Sequence, residues 1–237
     1  MSGRLAVVGG HGILGSPFAL DAPLVDVDTK RGPVAVRDAG DYLVLQRHGV
    51  EHYVPPHRID HVAHATALQQ LGCDRILALS SVGSLRLEHP VGAVLAPDDF
   101  IALAHQPLSM FDDVRAHTVP GFDADWRTRV VSVWSGATNG ALRDGGVYWQ
   151  TTGPRFETAA EVRFIAQFAD VVGMTVGSEC VVAGELGLAY AAVCIVDNLA
   201  NGLGERPLTM EEFETGKAAN RERLLEVLAR VVPELAR

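Results

Sequence analysis

The stretch Thr151-Thr152-Gly153-Pro154-Arg155-Phe156-Glu157-Thr158-Ala159-Ala160-Glu161 carries a predicted strand, residues 147–151, through a tight Gly-Pro turn into a predicted helix, residues 158–168. The turn places the ring of Phe156 beside the carboxylate of Glu157. An aromatic ring stacks on a flat heterocycle, and a carboxylate accepts hydrogen bonds from ring N–H groups. The stretch therefore predicts a pocket for a purine-like base at a strand end.

Strands and helices alternate on both sides of this stretch. We predict further strands at residues 5–8, 24–27, 34–37, 42–46, 76–79, 91–96, 171–172 and 190–196, and further helices at 59–71, 178–186 and 209–230. The polar stretch 105–126 is predicted as a long surface excursion. This alternation predicts one α/β domain over residues 1–237, with a mixed, mostly parallel central sheet flanked by helices. Sites in such sheets form where loops leave the strand ends.

Composition excludes several classes of protein. The 237 residues are 48% hydrophobic and carry a formal charge of −9 with no basic run, which argues against a nucleic-acid partner. Cys73, Cys180 and Cys194 lie in apolar contexts without CxxC spacing, which is typical of buried thiols in a reducing compartment. The first residues lead into a strand rather than a signal peptide, and no apolar run reaches the ~18 residues of a membrane helix. We therefore expect a cytoplasmic protein without a membrane partner.

A glycine-rich turn follows the first predicted strand, and it allows three interpretations. Gly10, Gly12 and Gly15 satisfy GxGxxG, and Asp26 follows in the next strand, as in an NAD-binding oxidoreductase. Only nine residues separate Gly15 from Val25, and two of them are prolines, so a crossover helix fits poorly. A turn whose backbone N–H groups face a phosphate is favoured, with an ordinary tight turn as the other alternative.

The segment Arg47-His48-Gly49-Val50-Glu51-His52 also allows two interpretations. His48-x-x-Glu51-His52 matches an inverted zinc-protease pattern, which requires a helix that Gly49 and the following prolines disfavour. Alternatively, Arg47 offers a planar fork to a phosphate dianion, and His48 adds a second donor. We favour the anion interpretation and predict that the remaining nearby histidines are solvated: His57, His61 and His64.

Polar side chains follow three further predicted strands. Ser80 and Ser81 precede Gly83, and their hydroxyls and bare backbone suit an anion, a sugar or a plain turn. Thr175 lies before the helix at 178–186, where it can donate to an anion, and Ser178 is the expected N-cap of that helix. The strand at 190–196 ends in Asp197 and Asn198, of which only one can face a given pocket while the strand persists.

In this order, the segments resemble the trimeric purine nucleoside phosphorylase family, which includes methylthioadenosine phosphorylase. The resemblance spans nearly the whole chain, and Gly-Pro-x-Phe-Glu-Thr at 153–158 is its most specific part. It implies that phosphate attacks the ribosyl anomeric carbon of a purine nucleoside, with no metal or organic cofactor, in a homotrimer or a dimer of trimers. It also implies that Phe156 packs on the purine, that Met174 lies beneath the ribose, and that phosphate is bound by the following residues: His11, Arg47, His48, Ser80 or Ser81, and Thr175.

The departures from the methylthioadenosine pattern bear on the substrate. Glu157 replaces a Ser, and Asn198 and Ala200 replace two Asp residues, which favours a 6-oxopurine because a carboxylate accepts from N1–H and an Asn side chain can donate. We expect inosine, guanosine or 5′-methylthioinosine as substrate, with Asn198 and Glu157 as the catalytic pair. If Asp197 faced the pocket instead, methylthioadenosine would be favoured.

The 5′ side and the phosphate turn leave further questions. Leu208 and Met210 are expected to form an apolar wall for a 5′ group, and His117 is expected to reach a neighbouring subunit's site. His11 stands where the family usually has Ser or Thr, and a protonated imidazole there would hold phosphate in a pH-dependent way. This departure leaves a hydrolase or a nucleoside-binding sensor as alternatives.

Overall fold

Strands and helices alternate as predicted in the computed structural model, which describes residues 3–103, 108–204 and 208–237. The helices are α1 (His61–Gln70), α2 (Ala124–Thr138), α3 (Ala159–Ile165), α4 (Val176–Glu185) and α5 (Met210–Ala236). The strands are β1 (Arg4–Gly9), β2 (Leu24–Thr29), β3 (Gly32–Asp38), β4 (Tyr42–Gln46), β5 (Cys73–Ser84), β6 (Val94–Ala96), β7 (Asp99–Ile101), β8 (Leu142–Asp144), β9 (Val147–Gln150), β10 (Val171–Gly173) and β11 (Ala189–Leu199).

All eleven strands join one mixed sheet in the described part of the chain. Its main path runs β2-β3-β4-β1-β5-β10-β9-β7, and β11 pairs with the other edge of β5 and continues through β6 to β8. The pairs β1–β4, β1–β5 and β5–β11 at its centre are parallel, whereas β2–β3, β3–β4, β5–β10 and β6–β11 are antiparallel. The predicted mixed, mostly parallel sheet with flanking helices is confirmed.

The sheet forks along β5. Leu79 is the last residue of β5 that pairs with β1, and Gly83 is the first that pairs with β10 on the same edge. Residues 80–82 have no strand partner on that edge among the described residues. A gap therefore opens between β1 and β10, at the carboxyl end of β1.

Helices cover both faces of the sheet, as the alternation of side chains along its strands requires. On β5, Ile76 and Ala78 pack with α1 and α4 in one buried cluster. Leu77 and Leu79 point the other way and pack with α2 and α5 in a second cluster. No helix within the described ranges is long and apolar enough to cross a membrane.

Two predicted boundaries are wrong. The predicted excursion at 105–126 runs into α2, a helix that the sequence analysis missed. Its buried residues Trp126, Val130 and Trp134 recur every four positions. Residues 105–107 of the excursion lie outside the described residues. Ser178 does not cap α4, because the helix begins at Val176 with Thr175 at its N-cap. The Ser178 hydroxyl instead accepts a hydrogen bond from Gln150 at 2.6 Å.

Candidate active site

A cleft of about 270 Å³ occupies the fork in the sheet. It is bounded by the turns after β1 and β4, the unpaired part of β5, the turn after β9, the N-terminus of α4, the end of β11 and the start of α5. All but one of the residues that the sequence analysis placed in the site line this cleft. The residues that do so are His11, Arg47, His48, Ser80, Ser81, Gly83, Phe156, Glu157, Met174, Thr175, Asn198, Ala200, Leu208 and Met210.

The exception is His117. Its side chain is exposed at the end of a short 3-10 turn, residues 114–116, and it does not line the cleft of its own chain within the described residues. Whether a neighbouring copy uses it stays a prediction.

One end of the cleft is formed by the turn after β9. Thr158 and Glu161 close a reciprocal capping box at the start of α3, which fixes the residues just before the helix. Glu157 is buried, and its Oε1 accepts a hydrogen bond from the Thr151 hydroxyl at 2.8 Å. The Asn201 amide donates to the Glu157 carbonyl at 3.0 Å. One carboxylate oxygen of Glu157 is therefore anchored, and the other accepts no hydrogen bond from the residues that the structure describes, which leaves it for a ligand beside Phe156.

A β-bulge in β11 decides which of the two strand-end residues faces this ligand space. Val196 pairs with Val82 and Asn198 with Gly83, so Asp197 is an extra residue in the ladder. Asn198 lines the cleft, whereas Asp197 points toward α5, where it accepts a hydrogen bond from Asn220 at 2.7 Å and another from Ser81. Burial raises the pKa of the Asp197 carboxyl.

The opposite end of the cleft holds Thr175 and the glycine turn. Thr175 is the N-cap of α4, yet its side chain makes no capping hydrogen bond in the described structure, so its hydroxyl remains available to a ligand. A Cβ at Gly10 would lie 2.8 Å from Arg47 Nη1 and 3.4 Å from His48 Nε2. Backbone, guanidinium and imidazole thus meet at one point of the cleft, and the N-terminus of α4 lines the same cleft, which suits a small anion.

The expectation that Arg47 offers its fork to phosphate is wrong. The guanidinium is 2% exposed, and its Nε and Nη2 donate to the two carboxylate oxygens of Glu179. Nη1 donates to the Leu79 carbonyl at 3.0 Å, and Nη2 lies 3.5 Å from the Val8 carbonyl. A guanidinium has five N–H groups. One N–H of Nη1 is therefore left for the cleft, as far as the described residues show.

The two cleft histidines are neutral at pH 7, contrary to the expected imidazolium and donor roles. Burial lowers the pKa of His11 to about 4, with a contribution from Lys217. Burial and the neighbouring His11 lower the pKa of His48 to about 3. His48 Nδ1 lies 2.8 Å from the Val54 carbonyl, which can only accept, so Nδ1 carries the proton. In the neutral ring, Nε2 then presents a lone pair rather than a donor to the cleft.

Two aromatic residues of the cleft lining, Tyr53 and Phe213, are among those that the sequence analysis missed. Tyr53 stacks on His48 with ring centroids 5.2 Å apart. Phe213 packs between the two ends of the cleft, with its centroid 5.5 Å from His11 and 5.8 Å from Phe156. Phe213 follows Met210 by three residues on a predicted helix, so helical spacing could have found it. Tyr53 lies in an irregular loop, and no periodic signal marks it.

The prediction of solvated histidines holds only for His57. His61 is buried, with Nδ1 3.9 Å from Glu179, and burial lowers the pKa of His64 to about 4. Both line a small cavity behind Arg47 together with Glu179 and Tyr190. These histidines thus form part of the packing beneath the anion end of the cleft.

The structure also removes two alternative interpretations. Residues 48–52 form turns and bends instead of the helix that the inverted zinc pattern needs. Residues 10–23, all of which the structure describes, contain no helix, and β2 pairs with β3 rather than beside β1. The strand–helix–strand unit of a dinucleotide site is therefore missing from this part of the chain.

Comparison with known proteins agrees with this geometry. The sequence matches the Phosphorylase superfamily over residues 3–233. The chain belongs to this superfamily. Among superfamily relatives, a probable 6-oxopurine nucleoside phosphorylase of Archaeoglobus fulgidus is 35% identical over 98% of this chain and 96% of its own length. A probable S-methyl-5′-thioinosine phosphorylase of Methanosarcina acetivorans is 40% identical over 74% of this chain and 69% of its own length.

A solved structure supports the superfamily fold. The methylthioadenosine phosphorylase of Schistosoma mansoni in complex with adenine superposes with a TM-score of 0.85 over 99% of this chain and 92% of its own. Its sequence identity is 22%, so the similarity concerns the fold.

Proposed function

We propose that this protein catalyses the phosphorolysis of purine nucleosides with a 6-oxopurine base, and releases the free base and a ribose 1-phosphate. The observation that carries the proposal is the meeting of two kinds of site in one cleft. Phe156, Glu157 and Asn198, which suit a purine base, line the same cleft as Arg47 and Thr175, which can donate hydrogen bonds to an anion.

The proposed chemistry needs no protein nucleophile. Cleavage of the glycosidic bond builds positive charge on the sugar and negative charge on the departing purine. A phosphate held against the sugar stabilises the first charge, and a hydrogen-bond donor to N7 stabilises the second; preorganised electrostatics of this kind contribute several kcal/mol. Asn198 is the proposed donor, and positioning of the two reactants lowers the barrier further. Inorganic phosphate is the co-substrate, and we propose that no metal or organic cofactor takes part.

The base preference follows from the bulge in β11. Because Asp197 points to α5, Glu157, Asn198 and Ala200 line the cleft without Asp197, which supports the 6-oxopurine prediction over the adenine alternative. Glu157 has a carboxylate oxygen available for N1–H, which hypoxanthine and guanine carry and adenine lacks. A site whose buried polar groups lose their partners discriminates strongly against the wrong base.

The 5′ side favours an apolar substituent. Leu208, Met210 and Phe213 line the cleft from the start of α5, and Met210 is 59% exposed before a ligand covers it. A 5′-methylthio group would cover this apolar surface, whereas a 5′-hydroxyl would find no polar partner among these three residues. 5′-Methylthioinosine therefore fits the cleft best, with inosine and guanosine as further substrates.

We also propose a homotrimer, or a dimer of trimers, that works in the cytoplasm. The resemblance that motivates the trimer includes a loop from a neighbouring subunit, and His117 is the candidate residue on that loop. Sedimentation of the purified protein would measure the oligomer, and a His117→Ala variant that assembles normally but loses nucleoside affinity would support its role.

A substrate panel tests the proposed activity. Inosine, guanosine, adenosine, 5′-methylthioadenosine and 5′-methylthioinosine are incubated with the protein with and without phosphate, and free base is measured by chromatography. We expect release of hypoxanthine and guanine only with phosphate, and the highest kcat/KM for 5′-methylthioinosine. Equal release without phosphate would indicate a hydrolase, binding without release would indicate a sensor, and preference for adenine nucleosides would refute the roles of Glu157 and Asn198.

A further inference from the structure

The buried pair of Arg47 and Glu179 lies directly behind the anion end of the cleft. Glu179 is buried, and its two oxygens accept from Nε and Nη2 of Arg47. The Tyr190 hydroxyl donates to Oε2 at 2.7 Å. Burial alone would raise the pKa of Glu179, but the guanidinium outweighs it and the pKa is lowered. The carboxylate is thus ionised, and the pair is formally neutral.

Glu179 does not line the cleft, although its partner does. It lies on α4 one turn after Thr175, so a single helix supplies a hydroxyl to the cleft and a carboxylate behind it. A carboxylate in contact with a phosphate dianion would repel it. Here the guanidinium stands between the two, and it is the guanidinium that faces the cleft.

The position of the one available N–H of Arg47 depends on Glu179. A bidentate contact fixes the plane of a guanidinium as well as its distance. With Nε and Nη2 held by the carboxylate, and Nη1 held by the Leu79 carbonyl at 3.0 Å, the remaining Nη1 N–H has one direction left, beside Gly10 and His48. Without the carboxylate, several rotamers of the long side chain would compete.

We infer that Glu179 is a positioning residue of the phosphate site, and that it acts only through Arg47. The inference rests on the proposed function for the identity of the anion. It goes beyond that function because it assigns phosphate affinity to a residue that touches neither substrate. It also explains how a site with two neutral imidazoles presents a directed cationic donor.

The test compares Glu179→Gln and Glu179→Asp with Glu185→Gln. Glu185 is a matched control, because it lies on the same helix and accepts hydrogen bonds from Ser109 and Met110 away from the cleft. Inorganic phosphate and, separately, inosine are titrated by calorimetry. We expect both Glu179 variants to bind phosphate about 10- to 100-fold more weakly, as for loss of a hydrogen bond to a charged group. Inosine affinity should change less than about twofold, and Glu185→Gln should match the wild type.

Glu179→Asp keeps the buried charge but withdraws it by one methylene, so it retains the fold if Glu179→Gln does not. The double variant Arg47→Met/Glu179→Gln tests whether Glu179 acts through Arg47. It should bind phosphate as tightly as Arg47→Met alone, because removal of Glu179 should cost no further phosphate affinity once Arg47 is gone. Phosphate binding like the wild type in both single variants, an equal loss of inosine affinity, or an additional loss in the double variant would overturn the inference alone. A wild-type protein that binds no phosphate would overturn the proposed function as well.

Discussion

Exchange of the two base-contacting residues, Glu157→Ser with Asn198→Asp, should move the substrate preference from inosine toward adenosine. Glu157 keeps one carboxylate oxygen on the Thr151 hydroxyl at 2.8 Å and has the other for N1–H. A hydrogen bond to a charged group contributes about 1.5–3 kcal/mol, so its loss lowers kcat/KM for inosine about 10- to 150-fold. The carboxylate introduced at position 198 would accept from the 6-amino group of adenine, a base that the wild-type carboxylate of Glu157 disfavours because it faces the N1 lone pair. The two effects together amount to about 3 kcal/mol or more, a shift in the kcat/KM ratio of about 150-fold.

The assay is release of base from each nucleoside at saturating phosphate, measured by chromatography for the wild type and the double variant. Phosphate affinity is the internal control, and it should stay unchanged because neither residue lies at the anion end. Thr151→Val provides a second control, since it removes only the anchor of Glu157 and should lower inosine turnover less than the double exchange. A double variant with the wild-type ratio of inosine to adenosine turnover would refute our account of how the base is recognised.

Three further outcomes are expected. Gly10→Ala should weaken phosphate binding, measured by calorimetry, at least tenfold, because its Cβ would lie 2.8 Å from Arg47 Nη1 and the guanidinium cannot move aside. Gly184→Ala, which has open space around the new Cβ, should instead raise the melting temperature slightly in thermal unfolding. Gly216→Ala should unfold at a clearly lower temperature and lose activity, because its Cβ would lie 1.7 Å from the Asp197 carbonyl and push α5 off the sheet; activity like the wild type would contradict this packing. In phosphate-free buffer, stability should fall as pH is lowered from about 6.5 toward 4, because the imidazoles of His11, His48 and His64, with pKa values of about 3 to 4, bind protons in this range only in the unfolded chain. Phosphate should reduce that loss, and a melting temperature that is flat between pH 6.5 and 5 would count against it.

The sequence predicted many of the residues that line the cleft because they lie at or near strand ends. β5 and β11 are parallel neighbours, so Ser80 and Asn198, in the carboxyl-terminal halves of these strands, lie toward the same edge of the sheet. Thr175 follows β10, which is antiparallel to β5, so its place in the cleft depends on where β10 joins β5 and does not follow from this rule. The Phe156–Glu157 turn was predictable for a different reason, since a Gly-Pro turn and the start of a helix lie on either side of it.

What the sequence could not predict depends on partners distant along the chain. Glu179 is 132 residues from Arg47, and no residue near Arg47 in the sequence indicates that its guanidinium is bound by a carboxylate. The choice between Asp197 and Asn198 depends on a bulge that alternation of side chains cannot show. The burial of His61 and His64 follows from α1 packing on α4, which polar residue types alone did not indicate.

The extra residue in β11 has a consequence for how such a cleft changes its substrate. Deletion of the residue at position 197 would shift the register of β11 by one residue. The side chain of Asn198 would then point to the opposite face of the strand, away from the ligand and toward α5. The side-chain groups that line the pocket would change although no contacting residue had been replaced. The base preference that we propose therefore depends partly on the register of β11. In a relative that lacks the extra residue, an alignment of pocket residues alone would assign the wrong side chain to the base.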